Sequence, residues 1–172
     1  MREGAIVRCR LLPRAYTVKD RLILSNREIL IVEDNPADVR LMREAVKNIN
    51  PPVNINVVQD GEQALQFLRR QGQFVDAPVP ALILLDYNLP GASSRDILRE
   101  LKSDESLRPI AVVVLTTSDI ASDVREAYRL HANCYIRKPS DLESFLSTIQ
   151  TTAHFWLDVA CIAADAQWET VK

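Results

Sequence analysis

The chain has 172 residues, enough for one domain of the common size, about 100 to 150 residues, with short trimmings. Its 47% hydrophobic and 26% charged residues exclude the apolar-poor profile of disorder. No apolar run exceeds six residues, where a membrane span needs about 20.

Charges are scattered through the first ten residues, so the apolar core of a secretory signal is lacking and a cytoplasmic protein is expected. Cys9, Cys134 and Cys161 are odd in number and lack paired metal-ligand spacing. They read as free thiols, with neither a disulfide framework nor a structural zinc site. The net charge of −2 hides an asymmetry. Residues 1–27 carry seven bases (Arg2, Arg8, Arg10, Arg14, Lys19, Arg21, Arg27) against Glu3 and Asp20, which is +5 and leaves −7 for the rest. Such an arm can meet nucleic acid or anionic lipid. Lacking a basic run or clear period, it reads as a solvated, poorly ordered extension. The acidic body disfavours a nucleic-acid surface on the main domain.

From residue 28 onward, short apolar runs alternate with segments of helical period. Residues 28–32 form a β-rich run, and 36–48 then place Val39, Met42, Val46 and Ile49 at helical spacing before Pro51 and Pro52. The cycle repeats at 54–58 with 61–70, at 81–85 with 94–102, at 110–115 with 122–130, and at 134–136 with 142–156. Five β-α units imply a parallel sheet with right-handed crossovers and helices on both faces. The expected architecture is a doubly wound, flavodoxin-like α/β fold with strand order 2-1-3-4-5 and five helices. Domain limits of 28–157 are predicted, with 1–27 as the extension and 158–172 as a tail.

Ligands in such sheets bind beyond the carboxyl ends of the strands. The residues closing the runs are Glu33 and Asp34 after the first, Asp86 after the third, Thr116 after the fourth and Lys138 after the fifth. The second run offers nothing comparable. Carboxylates gathered this way repel unless a cation neutralises them, and oxygen ligands suit Mg²⁺. Asp34 and Asp86 are then ligands, with Glu33 close by. A strand-end aspartate can also be a nucleophile that forms an aspartyl phosphate, with Lys138 pairing the phosphoryl oxygens and Thr116 donating a hydroxyl. Any one of these residues alone would read as a turn or cap residue.

Four stretches carry a family resemblance: Ile-Leu-Ile-Val-Glu-Asp-Asn at 29–35, Leu-Ile-Leu-Leu-Asp-Tyr-Asn-Leu-Pro-Gly at 82–91, Val-Val-Val-Leu-Thr-Thr-Ser at 112–118 and Cys-Tyr-Ile-Arg-Lys-Pro at 134–139. The chain resembles the receiver domain of a two-component response regulator over about residues 28–150. The resemblance implies that Asp86 takes a phosphoryl group from a histidine kinase, and that Glu33, Asp34 and the Asn88 backbone carbonyl arrange Mg²⁺. It makes Thr116 the switch hydroxyl, Lys138 the phosphate partner, Tyr135 a rotating aromatic and Pro139 a cis proline. Asn-Pro-Ala-Asp-Val-Arg-Leu at 35–41, Leu-His-Ala-Asn-Cys-Tyr-Ile at 130–136 and Phe-Trp-Leu at 155–157 further resemble small single-domain regulators serving phytochrome-type histidine kinases. Ala111 departs from the pattern, since a proline often precedes the fourth strand. The family pattern does not explain residues 1–27.

His131 and His154 read as surface residues rather than phosphorelay histidines. A phosphatase of the aspartyl-nucleophile, Mg-dependent class would need a second acid two residues after Asp86, where Asn88 stands. A flavodoxin-like cofactor-binding module would meet phosphate with Glu33 and Asp34, which repel it. Sixteen residues after Trp156 leave no room for a DNA-binding domain. The expected protein is therefore a stand-alone phosphoacceptor and not an enzyme of turnover.

Leu142, Phe145, Leu146, Ile149, Ala153 and Trp156 form a helical stripe expected to face the core. Phe155, Trp156 and Leu157 are adjacent and cannot all be buried by one helix, so at least one is expected at the surface. By resemblance, receivers pair through the fourth helix, fifth strand and fifth helix. A homodimer with Tyr135, Phe155 and Trp156 in its interface is predicted.

Overall fold

The computed structural model describes residues 27–91 and 93–160. Cys9, Cys161, most of the basic extension and the end of the tail lie outside the described residues. Five parallel strands, β1 (Glu28–Val32), β2 (Asn54–Val58), β3 (Leu82–Asp86), β4 (Ala111–Thr116) and β5 (Cys134–Arg137), form one sheet in the order β2-β1-β3-β4-β5. The helices are α1 (Pro36–Val46), α2 (Gly61–Leu68), α3 (Ser94–Ser103), α4 (Ala121–Arg129) and α5 (Leu142–His154). The predicted topology and every predicted element are present, with boundaries moved by a residue or two.

Strand alternation builds two cores. Leu30, Val32, Ile83, Leu85, Val112 and Val114 meet Ala64 and Phe67 of α2, Ile97, Leu98 and Leu101 of α3, and Ala127 of α4. On the other face Ile29, Ile31, Leu82, Leu84, Val113 and Leu115 meet Met42 and Val46 of α1 and Phe145, Ile149 and Ala153 of α5. Burial on both faces is why β3 and β4 read as unbroken apolar runs. Helix starts follow capping chemistry: the side chains of Asn35, Asp60, Ser93 and Asp141 each accept an N–H of the first turn. The exception is α4, whose cap residue Ile120 has no side-chain acceptor, and which buries only Ala127. Its far end turns at His131, in the left-handed region at φ 63°.

Three expectations change. Lys138–Pro139 is trans, and the cis bond among the described residues is Asn50–Pro51. The turn needs no cis bond to aim Lys138, because the Lys138 N–H is anchored on the Thr116 carbonyl at 2.6 Å. Leu142 is 57% exposed rather than core, since it opens α5 above the last buried turn, one residue after the Asp141 cap. Arg27, grouped by composition with the solvated extension, is buried. It pairs with Asp158 at 2.5 Å, and Asp158 also meets His154 Nδ1 at 2.8 Å.

That pair holds the wide helical turn Phe155–Val159 that continues α5. Removing one partner strands a buried charge. Arg27→Met or Asp158→Asn is expected to lower the unfolding free energy by about 3 kcal/mol, with the double variant well short of the sum, in urea titrations.

A half-buried cation ties the sheet's other margin. Lys102 Nζ donates to the Arg108 carbonyl (3.1 Å), the Ile110 carbonyl (2.7 Å) and Asn133 Oδ1 (3.1 Å), using all three N–H groups. Burial pushes its pKa down to about 8. The folded state therefore releases this proton before the unfolded chain does, and folding is favoured as pH rises from about 8 to 10.5. Wild type should gain stability relative to Lys102→Met across that window, and a flat difference would contradict it.

Candidate functional site

Main-chain bonds beyond the strand ends place the site. Glu33 N–H donates to the Val58 carbonyl (3.0 Å), Tyr87 N–H to Leu115 (2.8 Å) and Lys138 N–H to Thr116. Each residue next to a strand terminus is thereby held in the register of the sheet. The carboxyl edge gathers Glu33, Asp34, Asp86, Thr116 and Lys138, as the sequence predicts.

Lys138 is the hub. Its ammonium, almost wholly buried, lies 2.7 Å from Glu33 Oε2, 2.8 Å from Asp38 Oδ2 and 2.6 Å from Asp86 Oδ1. Burial alone would lower its pKa, but hydrogen bonds to Asp38, Asp86 and Glu33 outweigh burial and raise it above the ordinary lysine value. Glu33 is also shifted upward, first by burial and further by the charge of Asp86, against the opposing pull of Lys138.

Asp86 is buried, with its second oxygen, Oδ2, accepting the Asn88 N–H at 2.7 Å. Ser94 Oγ, at the start of α3, lies 2.7 Å from both the Asp86 and the Tyr87 carbonyl oxygens. The aspartate is thus fixed in side chain and main chain. Glu33 Oε1 accepts the Asn35 N–H, while Asp34 is exposed. Carboxylate oxygens of Glu33, Asp34 and Asp86 lie within 4.8 Å of one another. Octahedral ligands on one hard cation stand about 3 to 4 Å apart, so small side-chain adjustments suffice. The donor set is all oxygen, and the exposed Asp34 side leaves room for water or a phosphoryl oxygen.

Thr116 is fully buried, and its Oγ1 accepts the Ser118 N–H at 2.9 Å. Tyr135 packs its ring edge-on against Tyr87 at 6.0 Å, turned inward. Its hydroxyl is shielded from solvent without a hydrogen bond in good geometry. Burial raises its pKa, and the nearby Thr116 hydroxyl offsets only part of that effect. Of the three adjacent apolar residues, Phe155 is 49% exposed, Trp156 is half-buried and Leu157 is buried. Cys134 is a half-buried free thiol with its pKa raised by burial, unlike a reactive cysteine.

Sequence reasoning missed Asp38 and Ser94. Asp38 lies in the first turn of α1, three residues after its Asn35 cap, and so looks like a helix-end acid. Only the 100-residue reach to Lys138 reveals its second role.

The family model for the response regulator receiver domain matches residues 29–150. The chain belongs to the response regulator receiver family. Response regulator Rcp1 of Synechocystis is 41% identical over 136 residues, covering 79% of this receiver and 92% of that protein. The crystal structure of the phosphorylated cyanobacterial phytochrome response regulator RcpA superposes with a TM-score of 0.78 at 42% identity, covering 81% of this chain and 99% of that one. The Mn²⁺-bound form of Rcp1 gives 0.76 at 40% identity, covering 79% and 98%. The protein is a two-component signalling receiver of the kind phosphorylated on aspartate, and its acidic cluster suits a divalent cation. Among the described residues no helix is long and apolar enough to cross a membrane.

Removing the hub leaves three carboxylates facing one another. In chelator at low ionic strength, Lys138→Met is expected to lose about 3 kcal/mol of unfolding free energy. Millimolar Mg²⁺ should recover part of it, and less when Asp34→Asn is added. Equal stability of wild type and Lys138→Met in chelator would overturn the hub.

Proposed function

We propose that Asp86 is the phosphoacceptor and that a sensor histidine kinase, of the phytochrome type, is the donor. The observation that carries this reading is a buried aspartate at the end of the central strand, oriented through both oxygens by Lys138 and the Asn88 N–H. A carboxylate oxygen attacks phosphorus, the phosphorus–nitrogen bond of the phosphohistidine breaks, and the imidazole departs. Lys138, already on Asp86 Oδ1, follows the charge onto the phosphoryl oxygens, and Thr116 turns its hydroxyl to them. Glu33, Asp34, Asp86 and the Asn88 carbonyl would hold Mg²⁺, which when bound neutralises phosphoryl oxygens. Asn88 supplies no acid where a hydrolase needs one, so the phosphoryl group persists as a signal and the protein is not an enzyme of turnover. The likeness to Rcp1 and RcpA supports the phytochrome assignment. A cytoplasmic site of action goes with such a donor.

The receiver unit runs over residues 28–157, with 1–27 and 158–172 as arm and tail meeting at the Arg27–Asp158 pair. Tyr135 is the switch aromatic with Thr116. The surface formed by α4, β5 and α5, with Tyr135, Phe155 and Trp156, is the homodimer interface. The exposed Phe155, stacked edge-on with Trp156 at 5.2 Å, supports it.

Acetyl phosphate and Mg²⁺ should label wild type and fail to label Asp86→Asn; labelling at the wild-type rate would falsify the assignment. Thr116→Ala should still label but lose the phosphate-dependent change in self-association. In sedimentation, wild type should dimerise at tens of micromolar and the Phe155→Ala, Trp156→Ala variant should not; a monomeric wild type, phosphorylated or not, removes the dimer.

A further inference from the structure

Helix α4 is held to the molecule differently from its neighbours. It buries only Ala127, and Ile120 gives it no side-chain cap. Its polar attachments near the N-terminus run through Asp123 and, one residue before the Ile120 cap, through the exposed Asp119–Arg137 pair at 2.7 Å. Arg95 NH2 lies 3.1 Å from Asp123 Oδ1, and Ser118 Oγ lies 3.2 Å from Asp123 Oδ2. Arg95, on α3, also donates through Nε to the Tyr87 hydroxyl at 2.8 Å, with its guanidinium carbon 5.5 Å from the Tyr87 ring centre. Both ends of this chain of contacts reach the phosphoacceptor site. Tyr87 follows Asp86 and packs on Tyr135, while Ser118 donates its N–H to Thr116 Oγ1.

We propose that Arg95 is a latch residue that, by bridging Tyr87 and Asp123, holds α4 in its unphosphorylated position. The latch rests on the reading of Asp86 and Thr116 given above. When Thr116 turns to a phosphoryl oxygen, Ser118 N–H loses its acceptor and the loop entering α4 is released on that side. The tie of Asp123 to α3 through Arg95 then carries more of the hold on α4, beside the exposed Asp119–Arg137 pair of the entering loop. A helix with little buried apolar surface is poised to move once its polar ties are cut. The tie opposes the phosphorylated state, so cutting it favours ligands that select that state. Arg95 touches neither the phosphoryl group nor the metal ligands in this arrangement and acts through Tyr87 and Asp123.

Two measurements on the full chain test it. Amide hydrogen exchange without any phosphoryl analogue reads the latch alone: Arg95→Gln and Asp123→Asn should each speed exchange in α4 and leave α1 and α5 unchanged. Titration with beryllofluoride and Mg²⁺ reads the coupling. Each variant should bind about two- to fivefold more tightly than wild type, the size an exposed ion pair supports. The double variant should match the singles rather than multiply them, because both cut one tie. Tyr87→Phe should show part of the gain. Unchanged α4 exchange, or unchanged or weaker beryllofluoride affinity in both single variants, overturns the latch. Wild type that binds no beryllofluoride while α4 exchange still responds to the variants overturns the Asp86 reading and with it the coupling, leaving the tie itself standing.

Discussion

One buried ammonium shared by three carboxylates organises this protein. Glu33, Asp38 and Asp86 come from the residue after β1, from α1 and from the end of β3, and nothing local to any of them explains the presence of the others. Lys138 makes their proximity tolerable, and with Asp34 counted the formal balance of four acids against one base is still negative. Two features relieve the remainder: the raised affinity of Glu33 for its proton, and the open acidic face toward Asp34 that a divalent cation fits. A dianionic phosphoryl group added at Asp86 would sharpen the deficit. On the proposed reading, a phosphoryl group there would favour a bound cation, and the two would be coupled through electrostatics.

The sheet divides the work between its faces. On one side α1 and α5 clamp the inner strands and supply Asp38 to the hub. Toward the other side lie Tyr87 and Tyr135, packed against the core that α2, α3 and Ala127 of α4 cover. There α4 is held by one buried alanine and a polar circuit. On the proposed reading, the well-packed half holds the chemistry and the sparsely buried helix α4 reports it.

The chain termini of the domain are joined by similar logic. Arg27 and Asp158 are 131 residues apart in sequence and form one buried pair, and the turn they hold displays Phe155. Composition assigned Arg27 to a solvated arm because six other bases precede it, whereas its burial follows from its place immediately before β1. Leu142 departs in the opposite direction: its spacing fits the apolar stripe, but as the first residue of α5 it stays 57% exposed among the described residues.

Sequence by itself determined the sheet order, the two-sided burial and the identity of the five groups at the carboxyl edge. Each of these depends on local periodicity and on strand-end position, which the chain states residue by residue. Only the tertiary structure decided that Asp38 joins the hub, that Ser94 pins the Asp86 main chain, that Lys102 closes the far margin of the sheet, and that Arg95 reaches Tyr87 and Asp123 at once. These are polar contacts across separate elements. Their partners are common surface residue types, and their pairing depends on where helices land on the sheet, which neither apolar period nor capping pattern encodes.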